Sequence, residues 1–271
     1  MEHCLGLPLP SKVPPLIRTN PASLGVDTIV TPGLSPPEAT IRKQQCLRKQ
    51  QCRNRTGRPP RRTPPTGDGL PPAIAAVLHV TMGSEDLAGE PGTQPSVGRV
   101  DVYHLPPAVD LTSVQGLILG SSVDQIFLER NRDLLTGFVT RGGRIAVMGH
   151  ALTDFLPGLG GVWRKIAYTG PKDLAITLAD PHPVWAGVDP ADLSSRKGVT
   201  GFYARGYVDK IPENAIVTTR IGRHALPLDF VYPLGDGQVL VHGGNDLTGW
   251  KDDPNTSARM TPQLIDWLTQ R

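Results

Sequence analysis

One stretch of the chain decides its fold: residues 142–150, GGRIAVMGH, from Gly142 to His150. Its glycine pair ends a helix, and Ile145–Met148 then reads as a short, buried apolar strand. The strand ends in a tight turn at Gly149 and His150. In open α/β sheets such a turn lies at the rim where ligands bind. The stretch therefore predicts a buried strand whose turn presents an imidazole.

Strand and helix patterns alternate on the amino-terminal side of this stretch. Apolar residues recur at helical spacing over Phe127–Thr140, and a basic last turn with a glycine stop follows. Strands are predicted at Ala73–Val80, Val100–Leu105 and Gly116–Leu119. Residues 83–98 lack a helical period, so the connection after the first strand is expected to hold a weak helix or none. The alternation predicts an α/β domain with a mostly parallel sheet.

The carboxyl-terminal half is richer in strands. An Asp-Gly pair in the turn Leu234–Gly237 predicts a hairpin. A last helix is predicted at Thr261–Leu268, with Pro262 in its first turn. These elements complete one predicted domain over residues 73–271. The strands predicted in this half are Leu174–Leu178, Ala215–Thr219, Pro227–Tyr232 and Gln238–His242.

Residues 1–72 differ in composition from the rest of the chain. They hold 14 of the 28 prolines, and 11 Lys and Arg against 4 Asp and Glu. The net charge of +3 therefore comes from this segment and not from the remainder. Such composition predicts a disordered, basic, Pro-rich tail. Either a solvated tail or an upstream extension translated from a mis-assigned start would explain it, and a damaged reading frame is a further alternative.

The most basic part of this tail is Ile41–Arg62, which carries nine Lys and Arg side chains. Phosphates could bind such a cluster electrostatically. The segment has no aromatic residue on which bases could stack, and its repeated RKQQC unit indicates low complexity. Nucleic acid is therefore not expected as a partner.

The three cysteines, Cys4, Cys46 and Cys52, all lie in the tail. Three thiols form no disulfide framework, and the spacing of Cys46 and Cys52 is a poor zinc pattern. A reducing cytoplasm is therefore the expected location. No run of 18 apolar residues occurs, and Met1–Pro10 lacks the features of a secretory signal. No membrane association is expected.

Four motifs in order carry a resemblance to a known superfamily. The chain resembles the class I glutamine amidotransferase-like proteins and, within them, the trehalose-utilisation (ThuA-like) proteins. The resemblance extends from about Ile74 to Trp250. It implies a flavodoxin-like three-layer fold with a pocket at the carboxyl ends of the strands. The matching residues are Gly142-Gly143 with Gly149-His150, then Phe155–Gly161, Asp180–Val188 and Gly235–Asp246.

The sequence departs from the amidotransferases at their nucleophile. Those enzymes place a cysteine at the strand-end turn, where this chain has His150, and no cysteine follows Cys52. A Cys-dependent glutaminase is therefore excluded. ThuA-like proteins tend to have a histidine at this turn. A hydrolase or a lyase remains open, and so does a protein without catalytic activity.

His150 is the candidate catalytic residue, with Gly149 beside it in the turn. An imidazole at this rim can act as a general base, a metal ligand or a hydrogen-bond donor near neutral pH. The alternative is a histidine that bonds only the local backbone. His182 is a second candidate, because Pro181 and Pro183 restrict its backbone and hold the ring in place. A structural turn would have the same sequence.

Further candidate ligand-binding residues lie in two glycine-flanked segments. His242, Asn245 and Asp246 follow the last predicted strand, where paired glycines let the backbone approach a ligand. A turn cap is the alternative for Asn245 and Asp246. Tyr203 and Arg205 would form an aromatic wall with a guanidinium for a sugar or a carboxylate, unless the cluster is core packing.

A metal site and a serine nucleophile are both less well supported. His150, His182, His242 and Asp246 would suit zinc if they converged, but no compact ligand signature such as His-Glu-x-x-His occurs. No metal is therefore assigned, and the cofactor is left open. A Gly-x-Ser-x-Gly motif is also missing.

Together these features predict a domain that binds or acts on a small, polar, sugar-like ligand at the strand ends through His150. The alternative is an inert scaffold or interaction protein on the same fold, since a fold alone does not determine function. The oligomeric state is left open.

Overall fold

The computed structural model describes residues 74–89, 92, 95–105 and 110–270, so the tail predicted over residues 1–72 lies outside it. Twelve strands are found in these residues: β1 Val77–Thr81, β2 Val97–Asp101, β3 Gly116–Leu119, β4 Arg144–Met148, β5 Trp163–Lys165, β6 Ile176–Leu178, β7 Ser195–Arg196, β8 Val199–Thr200, β9 Gly206–Val208, β10 Ile216–Ile221, β11 Leu226–Leu234 and β12 Gly237–His242. Four α-helices lie wholly within the described residues: α1 Gln125–Arg130, α2 Arg132–Thr140, α3 Pro190–Ser194 and α4 Met260–Thr269. Short 3₁₀ helices lie at Val102–His104, Pro171–Asp173, Pro183–Trp185, Leu247–Trp250 and Thr256–Arg259.

Eight strands form one mixed sheet in the order β2-β1-β3-β4-β12-β11-β10-β6. The first five are parallel to one another, whereas β11, β10 and β6 continue the sheet in antiparallel pairs. The predicted α/β class with a mostly parallel sheet is confirmed. Two small sheets stand apart from it, β5 with β9 and β7 with β8.

Helices cover both faces of the large sheet. Leu117 and Leu119 of β3 pack into one apolar core together with Leu135 and Phe138 of α2. Ile118, between them, points into the second core, which α4 covers with its buried apolar residues. All four residues of β3 are buried, because a parallel strand covered on both faces has no solvent-facing side.

Two predicted elements end or break at a residue that the sequence pattern does not mark. The strand expected at residues 100–105 ends at Asp101, whose side chain accepts a hydrogen bond from the Tyr103 backbone N–H and starts a 3₁₀ turn. The helix expected over residues 127–140 is two helices. It breaks at Asn131, whose ψ of 27° leaves the helical region and whose side chain bonds the Phe127 carbonyl. Both breaks come from side-chain hydrogen bonds that periodicity does not register.

The connection between β1 and β2 contains no helix in the residues that are described there. Asp86 and Arg99 instead exchange backbone hydrogen bonds, which fold the connection back onto β2. This outcome matches the lack of a helical period in residues 83–98. No helix in the described parts of the chain is long and apolar enough to cross a membrane. The cysteines behind the cytoplasmic prediction lie outside those parts.

The predicted hairpin joins β11 to β12, with Leu234 paired to Gly237. The two residues between them are Gly235 and Asp236, and only Gly235 has a positive φ, of 61°. A positive φ at the first central residue alone is the pattern of a type II′ turn, which favours glycine at that position. The turn thus depends on Gly235 rather than on the Asp-Gly pair that predicted it.

A buried carboxylate of β11, Asp229, is paired in register with His242 at the carboxyl end of β12. Asp229 of β11 is fully buried and accepts three hydrogen bonds. They come from His242 Nδ1 at 2.7 Å, from the Tyr203 hydroxyl at 2.7 Å and from the Thr219 hydroxyl at 2.5 Å. The three donors together reach both carboxylate oxygens, so the buried acid has hydrogen-bond partners on each side. Neither Asp229 nor Thr219 is singled out by the sequence, because each lies within a predicted strand.

His242 completes the buried network with its second ring nitrogen. Nε2 lies 2.7 Å from the backbone carbonyl oxygen of Asn245. Both ring nitrogens thus face acceptors, and each must carry a proton for both contacts to be hydrogen bonds. His242 is therefore an imidazolium paired with Asp229 inside the protein. Trp185 extends the network by donating to the Tyr203 hydroxyl at 2.9 Å.

His182 lies between the rings of Trp185 and Trp267, which belong to the core that α4 covers. Its ring centroid is 5.4 Å from that of Trp185 and 5.5 Å from that of Trp267. Nδ1 accepts a hydrogen bond from the Val184 N–H and thereby caps the 3₁₀ helix that follows. Burial, reinforced by the positive charge of Arg144, lowers the pKa of His182 from 6.5 to about 4. The ring is therefore neutral at pH 7.

Asp229→Asn removes the counter-charge of His242 while nearly preserving side-chain volume. Because the imidazolium then lacks its carboxylate partner, we expect the free energy of unfolding to fall by about 3–5 kcal/mol. Urea denaturation followed by circular dichroism measures this change. Asp236→Asn, at an exposed hairpin residue, is the matched control, with an expected change below about 0.5 kcal/mol. Equal losses in the two variants would contradict the buried ion pair.

His182 makes stability depend on pH in a defined window. Its pKa is about 4 in the folded protein against 6.5 for the free side chain, so the unfolded chain binds the proton first as the pH falls. We expect stability to decrease between about pH 6.5 and 4, by roughly 2 kcal/mol from this residue. His182→Asn retains a capping acceptor and removes the titration, so its stability curve should be flatter in this window.

The control is His224→Asn at an exposed histidine, which should leave the slope of the curve unchanged. Denaturation midpoints measured every half pH unit give the comparison. Parallel curves for the wild-type chain and His182→Asn would rule out this linkage.

Candidate functional site

The strand-end turn at Gly149 has the conformation that its sequence predicts. Gly149 has a φ of 86°, and its N–H donates to the His242 carbonyl at 3.0 Å. A Cβ at this position would lie 2.8 Å from the Cβ of Ser121. Only glycine fits there without strain. The next residue, His150, emerges on the surface at the carboxyl end of β4.

The His150 ring stacks on Trp163. Their centroids are 3.7 Å apart and their planes lie 20° from parallel. A hydrogen bond fixes the position of the Trp163 indole, because its Nε1 donates to the Gly243 carbonyl at 2.9 Å. Gly206 makes room for the indole, since a Cβ on it would lie 2.2 Å from ring carbons of Trp163. The two rings therefore form a platform at the ends of β4 and β12.

An open cleft of about 390 Å³ borders this platform. One side consists of residues that follow β4 and β12, and the other of residues in or next to β5 and β9. Backbone, aromatic, amide and cationic groups line it, and no carboxylate does. The lining residues are His150, Trp163, Lys165, Gly201, Phe202, Ala204, Arg205, Gly244 and Asn245.

Partial burial of the ring lowers the pKa of His150 from its ordinary value of 6.5, and the positive charge of His242 lowers it further. The exposed imidazole is therefore mostly neutral at pH 7. Within the described residues, neither of its ring nitrogens has a hydrogen-bond partner in the protein, whereas its backbone carbonyl accepts from Gln125 at 2.6 Å. The ring is thus available to a ligand as acceptor, donor or base.

Asn245 is held at the edge of the cleft by three contacts. Its N–H donates to the Tyr203 carbonyl at 2.9 Å, and its Nδ2 donates to the Phe202 carbonyl at 2.5 Å. Its own carbonyl accepts from His242. The adjacent Gly244 has no room for a side chain, because a Cβ would lie 2.0 Å from the Tyr203 carbonyl oxygen. The strand-end segment is therefore tightly fitted to the loop before β9.

Asp246 lies outside the lining of the cleft and caps a turn. Its Oδ1 accepts from the backbone N–H of Thr248 at 2.9 Å and from the Thr248 hydroxyl at 2.7 Å. Its Oδ2 lies 3.4 Å from Nε2 of His79. Burial acts to raise the pKa of Asp246, but the contacts with His79 and Thr248 outweigh it and lower the pKa overall.

The structure brings together some of the candidate residues and separates others. His150, Arg205 and Asn245 line the cleft, and Gly149 forms its turn. Tyr203 and His242 lie directly behind it, fully buried in the network around Asp229. His182 lines a different cavity of about 470 Å³ next to β6. Among the described residues, no group of three or more His, Cys, Asp or Glu side chains is placed to hold a metal ion.

The aromatic and cationic side chains of the cleft include three that are not among the candidates that the sequence suggests. Trp163 and Lys165 alternate along β5 and therefore share one face of that strand. Phe202 contributes its ring from the loop before β9. The sequence signal that pointed to this part of the cleft was the segment Gly201–Tyr207, which contains Arg205 and whose glycines allow a close backbone approach. Its pairing partner β5 is only three residues long and gives no periodic pattern.

No family model matches the chain, and no curated protein matches it significantly. Solved structures similar to it include Cytoplasmic Protein STM3548 from Salmonella typhimurium, with 11% identity and a TM-score of 0.44 over 72% of this chain and 100% of that one. The cold-adapted β-galactosidase from Rahnella sp. R3 has 14% identity and a TM-score of 0.42, over 73% of this chain and 32% of that one. The exo-β-1,4-mannosidase Op5Man5 from Opitutaceae bacterium strain TAV5 has 17% identity and a TM-score of 0.42, over 73% and 37%. These likenesses are too distant to support a function, and membership of the amidotransferase-like or ThuA-like proteins stays a prediction.

Proposed function

We propose that this domain binds a small, polar, sugar-like ligand in the cleft beside His150, on a flavodoxin-like fold of the amidotransferase-like kind. The strand order β2-β1-β3-β4-β12 supports the fold, since flavodoxin-like sheets have the order 2-1-3-4-5. The observation that carries the functional proposal is the neutral, exposed imidazole of His150 stacked on Trp163 at the rim of an open cleft.

The chemistry of the cleft suits such a ligand. Ligand sites combine apolar or aromatic walls with a few fixed polar groups. Trp163 and Phe202 supply the aromatic surface, and Asn245 supplies an amide whose Nδ2 is already committed to the Phe202 carbonyl. The remaining Asn245 Oδ1 is suited to accept from a ligand hydroxyl. His150 can accept a proton from a second hydroxyl, the first step that a hydrolase or lyase of this design would need.

One observation favours the alternative of an inert scaffold. Two of the three histidines proposed as ligand-binding groups are committed to the protein, because His242 is bonded at both ring nitrogens and His182 caps a 3₁₀ helix. No carboxylate lines the cleft to orient His150 as a base. The two functions differ in whether any small molecule binds next to His150.

We expect sugars or sugar acids to shift the ring resonances of His150. Nuclear magnetic resonance of the full chain with ¹³C-labelled histidine, titrated with glucose, galactose, glucuronate and galacturonate, reports this directly. His150→Ala should weaken binding by about tenfold or more, since it removes a hydrogen-bonding group and half of the platform. His224→Ala, at an exposed histidine outside the cleft, is the control. If none of the four probes shifts the His150 signals, the scaffold function is favoured.

The protonation of His150 is a separate expectation. Because burial and the His242 charge both disfavour its cation, His150 should titrate below 6.5. The pH dependence of its Cε1 chemical shift gives the value. His242→Gln removes the nearby charge and should move the pKa of His150 upward. A pKa of His150 at or above 6.5 in the wild-type chain would contradict the described environment.

A further inference from the structure

Two unpaired cations face the cleft from neighbouring strands. Lys165 ends β5 and is paired in register with Gly206 of β9, and Arg205 immediately precedes Gly206. The Ile166 N–H also donates to the Arg205 carbonyl at 2.9 Å, which extends the contact beyond the ladder. Both side chains are exposed and line the cleft. Backbone pairing therefore places the two cationic residues on adjacent segments of the cleft wall.

Neither cation has an acidic partner among the described residues. In contrast, Arg132, Arg164, Arg196 and Arg223 each form an ion pair with an aspartate. The difference is clearest within β5, where Arg164 bonds Asp209 at 2.7 Å and the next residue, Lys165, faces the cleft alone.

Arg205 is also partly preorganised. Its Nε donates to the Gly201 carbonyl at 3.1 Å, and its guanidinium lies 5.9 Å from the ring centre of Tyr168. The terminal nitrogens have no bond to another described residue. A guanidinium held through Nε presents its remaining donors as a planar fork, the geometry that binds carboxylate and phosphate groups.

We propose that the ligand of this cleft carries an oxyanion, a carboxylate or a phosphate, that Arg205 and Lys165 bind together. This inference rests on the proposed function and adds the charge class of the ligand. The oxyanion occupies the end of the cleft next to Arg205 and Lys165, and the hydroxylated part lies towards His150 and Asn245. A sugar acid and a sugar phosphate both have this chemistry.

The size and lining of the cleft favour a small molecule over a charged polymer. A volume of about 390 Å³ is close to that of ordinary small-ligand sites, which occupy roughly 300–1,000 Å³. The lining holds two cations and no anion, so a neutral ligand would leave both charges without a counter-ion.

Isothermal titration calorimetry of the full chain with three probes tests this inference. D-glucose, D-glucuronate and D-glucose 6-phosphate share one ring and differ in charge. At least one of the two anions should bind about tenfold more tightly than glucose. Its affinity should fall as salt is raised from 20 to 300 mM, whereas that of glucose should not. The tighter of the two anions identifies the oxyanion.

Single substitutions then assign the effect to the two side chains. Arg205→Ala and Lys165→Ala should each weaken the preferred anion by about tenfold and so reduce the ratio of its affinity to that of glucose. Lys210→Ala and Arg130→Ala remove the same charge from exposed positions outside the cleft and serve as matched controls.

The possible outcomes separate the two proposals. Equal affinities for glucose and both anions, each lost in His150→Ala, leave the proposed function standing and overturn the oxyanion inference. Losses of equal size in the cleft variants and in the control variants also overturn it, because they would reflect net charge alone. Absence of binding by all three probes, together with unshifted His150 resonances, overturns both.

Discussion

The ion pair between Asp229 and His242 is the interaction on which the site depends. Removing two charges from water is costly, and the network offsets this cost with hydrogen bonds to every polar atom of the pair. The same bonds join β11, β12, β10 and the loop before β9. Since the last bond ends on the Asn245 carbonyl, the buried charge also fixes the segment that borders the cleft. The shape of the surface site is thus tied to the buried pair through the Asn245 carbonyl.

The central strands β3, β4 and β12 could be predicted from the sequence because each is a short apolar run with glycine at both ends. The strand Ile145–Met148, its Gly149 turn and the hairpin at Gly235 all follow from local rules. The breaks at Asp101 and Asn131 did not follow, since each depends on one side chain bonding a nearby backbone group. Apolar periodicity continues across such a break and does not reveal it.

The candidate site was only partly accessible from sequence because its residues meet through tertiary contacts. His150 lies at the end of a recognisable strand, so its exposure at the rim followed from the fold. Asp229 is a lone acid in a β-strand pattern, and nothing local marks it as the partner of His242. Trp163 and Lys165 belong to a three-residue strand whose existence depends on pairing with β9. The sequence made both His150 and His182 plausible as ligand-binding residues, whereas in the structure His150 is exposed and His182 is partly buried.

The two walls of the cleft belong to different sheets. His150 and Asn245 follow strands of the eight-stranded sheet, whereas Lys165 lies in the separate pair of β5 and β9. No backbone ladder joins the two sheets in the described chain. Between these walls, the bonds to Gly243 from the Trp163 indole and to Phe202 and Tyr203 from Asn245 act as links. Substitution of a few wall residues can therefore change the width and charge of the opening without altering the core that folds the domain.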